Sequence, residues 1–168
     1  YTTGGAINFV STEIPKSFQG KISSSYGSFN TGQTYSTIGS SNGNFGYMIE
    51  FLNYNSNGFK DLGEKLNTGF DINEITSKVR FNSSKDAKIN QSLELKFHYY
   101  DEASNETYLG LTDSDFKKTP FLRYIGSGKD KMDAEHTQYL ITHEIKISEK
   151  FNITSTLYHN GFKRNWYK

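Results

Sequence analysis

The stretch at residues 89–99, which reads INQSLELKFHY, decides the fold class. Its odd positions are mainly apolar and its even positions are all polar. The odd set is Ile89, Gln91, Leu93, Leu95, Phe97 and Tyr99, and the even set is Asn90, Ser92, Glu94, Lys96 and His98. Successive side chains of a β-strand point to opposite faces of its sheet. The stretch therefore predicts a long strand with one apolar face and one polar face.

Four further stretches show the same alternation. They are residues 45–52, 74–81, 139–147 and 151–158, with single misfits at Leu52, Leu140 and His143. No stretch has a convincing 3.6-residue period, so the chain is predicted to be all-β. Long strands are expected at residues 19–29, 34–41, 45–55, 70–82, 87–100, 136–147 and 151–163 or beyond, after a short strand at residues 4–11. A short helical turn is expected near residues 112–117, capped by Thr112 or Asp113.

Composition narrows the class of protein. The 168 residues are 34% hydrophobic, which is a poor supply for one compact core in water. The 15% aromatic content and the ordered alternation argue against disorder. A net charge of +1 offers no electrostatic case for binding nucleic acid, and the absence of Cys excludes a disulfide framework. No run of about 18 apolar residues predicts a transmembrane helix. We interpret the chain, which starts at Tyr1, as a piece of a longer protein.

The predicted connections differ in length between the two ends of the sheet. Very short turns are expected near residues 42, 85 and 149, all at one end. Long loops are expected near residues 62 and 118 at the other end, which also has a short turn near residue 31. Transmembrane β-barrels of the outer membrane have this layout, and they span with about 9–11 residues per strand. A soluble sandwich or an extended single-layer sheet is the alternative, because a soluble sheet can also have one wet face. Loop asymmetry and strand length favour the barrel.

The N-terminal residues carry a family resemblance. Residues 4–11, GGAINFVS, precede a proline-containing link and a long strand, and they resemble the end of the plug domain of TonB-dependent outer-membrane receptors. The residues that carry this motif are Gly4, Gly5, Ile7 and Asn8. Residues 53–61 look like the third strand of that family running into an extracellular loop. Residues 106–116, followed by Pro120 and the pair Arg123-Tyr124, resemble the third extracellular loop of ferric-citrate-type receptors.

The resemblance covers nearly the whole chain and implies a function. A complete receptor would be a barrel of about 22 strands with a plugged lumen. Residues 1–14 would be the C-terminal end of the plug domain, and residues 15–168 would be the N-terminal part of the barrel, with about seven strands. The protein would take up a ferric chelate, such as iron citrate or another siderophore, across the outer membrane of a Gram-negative bacterium. Vitamin B12, haem, nickel complexes and glycans remain alternative cargoes.

The resemblance also implies the partners. These are TonB, reached through a segment outside this chain, the ferric chelate, outer-membrane lipid and lipopolysaccharide. Neither a resident cofactor nor an enzymatic activity is expected. A non-transporting surface adhesin or a soluble β-sandwich binding module is the alternative function.

Charged residues of the even positions are candidates for the wall of the lumen. They are Glu50, Glu74, Lys78, Arg80, Glu94, Lys96, His98, Glu144 and Lys146. Acids stand beside bases in this set, so we interpret it as a charged wall facing plug and water, not as a catalytic site. The four His residues lack the tight spacing of metal ligands, and no metal site is predicted.

Two regions offer candidate ligand contacts. A ferric citrate complex is anionic, and Arg suits carboxylates because it forms paired hydrogen bonds. The long loop contributes Lys117, Lys118, Arg123 and Tyr124, and the end of the last strand contributes Lys163, Arg164, Asn165 and Trp166. The alternative is that these residues belong to a solvated loop or meet lipopolysaccharide phosphates.

Overall fold

Seven strands form one antiparallel sheet in the order β1 to β7. The structure is a computed structural model that describes residues 3–5, 10–63 and 66–168. The strands are β1 Gln19–Gly27, β2 Thr31–Asn42, β3 Phe45–Ser56, β4 Phe70–Asn82, β5 Asn90–Asn105, β6 Lys131–Ser148 and β7 Phe151–Tyr167. The prediction of an all-β, antiparallel fold is therefore confirmed. The sheet is open, with β1 and β7 at its two edges.

The connections follow the predicted asymmetry. One end of the sheet, called the short-turn end, has the turns at residues 43–44, 83–89 and 149–150. Asn42-Gly43 makes the first of them, and Gly43 supplies the left-handed φ of +56° that favours glycine in such hairpins. The opposite end, called the long-loop end, has the 3-10 turn Ser28–Asn30 and the loops at residues 57–69 and 106–130. The longest loop contains helix α1, Asp113–Lys118, whose first turn is capped by the Thr112 hydroxyl as expected.

Four predicted boundaries are wrong by three residues or more, and one of them is the start of β2, which lies at Thr31 and not at residue 34. β5 and β6 extend to Asn105 and back to Lys131 because residues 101–105 continue the hydrogen-bonded ladder with residues 131–135. That polar section lacks the apolar alternation used for the prediction. β5 also begins three residues later than expected, at Asn90. The short strand at residues 4–11 is absent from its described residues, because Gly5 adopts a φ of +90° and Val10 and Ser11 join no strand. Ile7 and Asn8 lie outside the described residues.

The register sorts the side chains onto two faces. Paired residues of neighbouring strands share a face, so the apolar face carries the odd-numbered residues of β3–β7 and the even-numbered residues of β1 and β2. The polar face carries the remaining strand residues. Four hydrophobic residues are buried in the described part, Ile14, Met48, Leu62 and Ala134. A single layer cannot bury its apolar face, which is why large apolar side chains stay exposed there.

The helical elements are brief. Besides α1, the described residues contain only the 3-10 turns Ser28–Asn30 and Ile125–Ser127. None of these is long and apolar enough to cross a membrane. The sheet therefore supplies nearly all the ordered structure that positions the candidate site.

Candidate functional site

The charged residues of the even positions all lie on the polar face. The register brings together Glu50, Glu74, Lys78, Arg80, Glu94, Lys96, His98, Glu144 and Lys146 on that face. In β4 and β5, Lys78 pairs with Lys96 and Arg80 pairs with Glu94 across the strands. This alignment follows from the two-residue period, because every strand presents its charged residues in the same direction.

Hydrogen bonds and ion pairs occupy several of these charges. The carboxylate of Glu50 accepts hydrogen bonds from the hydroxyls of Thr12, at 2.8 Å, and Tyr35, at 2.6 Å. Nδ1 of His98 lies 3.0 Å from the hydroxyl of Thr76 and 3.7 Å from the carboxylate of Glu74. These contacts give Glu50 and His98 polar partners on the face itself.

Towards the short-turn end, the wall becomes more exposed. Nζ of Lys146 lies 2.9 Å from the carboxylate of Glu149, and both side chains are at least half exposed. Exposed pairs of this kind contribute little to stability. Among the residues that the structure describes, no three His, Asp or Glu side chains come together as metal ligands.

A second group of polar-face residues lies at the long-loop end of β7. Arg164 stacks its guanidinium carbon 4.2 Å from the ring centre of Trp166 and 5.9 Å from that of Phe162. Tyr108, which comes from the long loop, lies 6.4 Å from Trp166 between ring centres. We call Tyr108, Phe162, Arg164 and Trp166 the aromatic–cation cluster. A guanidinium that stacks by its faces keeps its N–H edges free to bind a carboxylate or phosphate.

The candidate Asn165 is not part of that cluster. It follows Arg164 in β7, so its side chain belongs to the opposite face, where it pairs with Asp133 across the sheet. Arg164 and Asn165, which are adjacent in the sequence, therefore lie on opposite faces of the sheet. Phe162 and Tyr108 were not among the candidates. Phe162 could have been found from the sequence, because it has the same even parity as Arg164 and Trp166. No sequence signal places Tyr108 beside them.

The candidates of the long loop have structural partners. Nη1 of Arg123 donates to the carbonyl oxygens of Pro120, at 3.0 Å, and Leu122, at 2.6 Å. The hydroxyl of Tyr124 donates to the carboxylate of Asp115 at 2.7 Å. Lys117 and Lys118 lie in the last turn of α1, where cations favour the helix dipole, and their side chains are exposed. The loop thus uses Arg123 and Tyr124 to hold its own shape.

The electrostatics of the loop reflect this bracing. Hydrogen bonds from Tyr124 and Thr112 stabilise the charged form of Asp115 and lower the pKa of its carboxyl. The backbone of Asp61 joins this loop to the loop at residues 57–69, because its N–H donates to Phe121 at 2.8 Å and its carbonyl accepts from Arg123 at 2.6 Å. The loops of the long-loop end therefore form one connected structure.

A third feature covers part of the polar face. Residues 11–15 lie across β2, β3 and β4, where the Thr12 hydroxyl bonds to Glu50 and the Ser41 hydroxyl donates to the carbonyl of Pro15 at 2.8 Å. Of the glycine-pair motif, Gly4 and Gly5 are described and exposed. No protein-family model matches the chain, and neither a curated protein nor a solved structure matches it. The geometry alone must therefore carry any functional argument.

Proposed function

We propose that the chain is part of a transmembrane β-barrel and that it serves a TonB-dependent receptor, which takes up a ferric chelate such as iron citrate or another siderophore. Its place is the outer membrane of a Gram-negative bacterium. Its partners are TonB, the chelate, and outer-membrane lipid with lipopolysaccharide. The observation that carries the proposal is the apolar face, which forms a bounded band across most of the sheet.

The band consists of large apolar side chains without a covering layer. Its exposed members include Ile38, Phe45, Ile49, Phe51, Phe81, Leu93, Leu95, Tyr139, Ile141, Ile153 and Leu157. Water-soluble proteins rarely expose an apolar patch that crosses so many strands. In a membrane, this surface would contact the hydrocarbon of the lipid and would not be exposed to water.

The borders of the band are slanted relative to the strands. Towards the long-loop end the band stops at Ile75 in β4 and at Leu157 in β7, because the next residues on this face are Asn73 and His159; Tyr167 stands apart at the end of β7. The register aligns Ile75 of β4 with Gly161 of β7, through Tyr99 of β5 and Thr137 of β6. Leu157 lies four residues from Gly161, so the border moves by about 13 Å along the strands between β4 and β7. Three strand spacings are about 14 Å, which gives a slope of about 40°.

The lower border has the same slope. Phe81 of β4 corresponds by register to Ser155 of β7, whereas the last large apolar residue of β7 is Phe151, again four residues away. Two parallel borders are what a flat membrane would require of tilted strands. Strands of membrane barrels tilt by about 35–45°, and the slope agrees with that range.

A polar belt follows the band towards the long-loop end on the same face. The Asn53 amide donates to Asn73 at 2.8 Å, and the Asn55 amide donates to Asn53 at 2.9 Å. The Asn73 amide donates in turn to Asp71 at 2.7 Å. This succession from apolar band to polar belt supports strands that emerge from lipid into the headgroup region.

The polar face supports a wet, plugged lumen. Ion pairs join Lys78 to Glu94 and Lys146 to Glu149 on this face, and residues 11–15 lie against it, as the end of a plug would. In the proposed receptor, the open edges at β1 and β7 would pair with further strands, since lipid does not tolerate unpaired edges. The aromatic–cation cluster would then lie at the extracellular mouth, where Arg164 would bind a carboxylate-bearing chelate.

Deletion of the gene tests the proposal directly. Cells that lack it should lose growth on ferric citrate, or on the correct ferric siderophore, as sole iron source. The complete gene should restore growth, and the protein should be found in the outer-membrane fraction. Unimpaired uptake of every ferric chelate after deletion would reject the transport function. Recovery of the folded protein in a soluble fraction would instead favour the soluble binding module.

A further inference from the structure

Residues 11–15 are fixed to the polar face by contacts with three adjacent strands. The Thr12 hydroxyl donates to Glu50 of β3 at 2.8 Å, and Ser41 of β2 donates to the carbonyl of Pro15 at 2.8 Å. From β4, the ammonium of Lys78 donates to the carbonyl of Thr12 at 2.7 Å and to that of Ser11 at 3.4 Å. The strands are hydrogen-bonded to one another, so these partners form a rigid support.

Lys78 is the central contact because it binds the main chain. Its side chain is only 6% exposed, and its nearest carboxylate, that of Glu94, lies 3.8 Å away. A buried ammonium is costly unless its donors are satisfied. The two carbonyl oxygens satisfy it, and they are present whatever side chains the segment carries. Displacing the segment would leave the charge of Lys78 without these partners.

Two glycines of the sheet leave room for the apolar side chains of residues 11–15. A Cβ atom at Gly39 would lie 2.7 Å from Cδ of Pro15, and one at Gly46 would lie 3.0 Å from Cγ2 of Ile14. Real Cβ atoms essentially never show the first distance, and the second would require Ile14 to move by a few tenths of an ångström, so the absence of these side chains leaves room for Ile14 and Pro15. Ile14 is 4% exposed as a result.

We infer that Lys78, Gly39 and Gly46 are positioning residues that keep residues 11–15 seated on the polar face throughout transport. The segment is a fixed anchor, and any rearrangement during uptake takes place in the chain upstream of it. The seating is independent of what the protein does. Its meaning for transport rests on the proposed function.

Thiol accessibility tests the seating without reference to transport. The complete protein, in its native membrane, carries Ile14→Cys as its only cysteine and is labelled with a maleimide. Labelling should be at least tenfold slower than for an exposed Val10→Cys. Adding Lys78→Met or Gly46→Ala should accelerate it several-fold, whereas Lys78→Arg should preserve the protection. Gly20→Ala is the matched control, because a Cβ there meets only one atom, at 4.0 Å.

A simple loss of fold would expose every buried position, so a second thiol is needed. Ala134→Cys, a buried position in β6 away from the three strands that contact residues 11–15, reports whether the sheet itself remains intact. Labelling at position 14 that is fast in the otherwise unchanged protein, or insensitive to Lys78→Met and Gly46→Ala, would overturn the seating.

A reversible cross-link tests the anchor during transport. The side chains of Thr12 and Glu50 touch at 2.8 Å, so Thr12→Cys and Glu50→Cys are joined by a short thiol reagent that reduction cleaves, and uptake is measured in cells before and after reduction. The cross-linked and cleaved proteins should transport equally. Uptake that is lost on cross-linking and recovered on reduction would overturn the anchor. If even the unmodified protein transports no ferric chelate, the proposed function fails, and the labelling experiment still decides the seating.

Discussion

Replacing Leu95 by arginine would distinguish a lipid-facing sheet from a water-exposed one. Leu95 lies in β5 on the apolar face, between Val79 and Ile141 of the neighbouring strands. It lies four residues from Tyr99, at the long-loop border, and two residues from Leu93, which pairs with the border residue Phe81, so it is in the interior of the band. In lipid, an arginine at this depth should destabilise the fold by about 2–4 kcal/mol.

The matched control is Asp101→Arg in the same strand. Asp101 lies on the same face but in the polar belt, where a basic residue in a membrane barrel costs about 0–1 kcal/mol. If the face were exposed to water, both changes would instead stay within about 0.5 kcal/mol of neutral. The difference between the two variants, and not either value alone, therefore reports depth in the membrane.

Folding equilibria in lipid vesicles measure this difference. The complete protein and both variants are unfolded with guanidinium chloride, and the free energies of unfolding are compared after linear extrapolation. If the apolar face contacts lipid, Leu95→Arg should lower the free energy of unfolding by at least about 1 kcal/mol more than Asp101→Arg does. Equal losses, or a larger loss at Asp101, would refute the assignment of the apolar face to lipid.

The cluster, the loop and a glycine give further expected outcomes. Arg164→Lys should weaken the binding of ferric citrate in calorimetry by about 1.5–3 kcal/mol, because it loses the planar fork, whereas Asn165→Ala on the other face should not. The lowered pKa of Asp115 means that its bonds stabilise the loop fully above about pH 4 and that this contribution is lost as pH falls through the lowered pKa. Tyr124→Phe should reduce that pH dependence when loop cleavage by an acid-active protease is followed, and an unchanged profile would contradict it. Gly58→Ala should destabilise the protein by about 1–3 kcal/mol in thermal unfolding, because φ is +79° and a Cβ would meet the backbone of Thr68. Gly110→Ala, with open space around it, should have no such effect.

The sequence predicted the faces of the sheet better than its limits. Alternation has a period of two, so parity alone placed Glu50 and Lys78 on one face and Leu95 on the other. It could not predict residues 101–105 and 131–135 as strand, because both sides of the ladder are polar there. Backbone hydrogen bonds extend those strands without any apolar signal.

The long-range contacts could not be predicted from the sequence, for a different reason. The seating of Ile14 and Pro15 depends on the absence of a Cβ at Gly39 and Gly46, and in the sequence these glycines are indistinguishable from turn glycines. Arg123 and Tyr124 lie in the loop as expected, but Nη1 of Arg123 and the hydroxyl of Tyr124 donate to Leu122 and Asp115. Composition does not distinguish a cation that is open to a ligand from one that forms hydrogen bonds within its own loop.

The misfit His143 shows how the structure accommodates an exception to the pattern. It lies on the apolar face, beside Leu93 and Ser155, where the alternation required an apolar residue. Its Nε2 donates to Oε1 of Gln91, a polar residue on the same face of β5, at 3.1 Å. A polar group in lipid is costly chiefly when it lacks a partner, so two misfits on neighbouring strands cost less together than either would alone. In β6 the band continues beyond His143 to Ile145 and Ile147, so His143 lies well inside it. Its bond to Gln91, at the border of the band in β5, gives the imidazole a partner where water is distant.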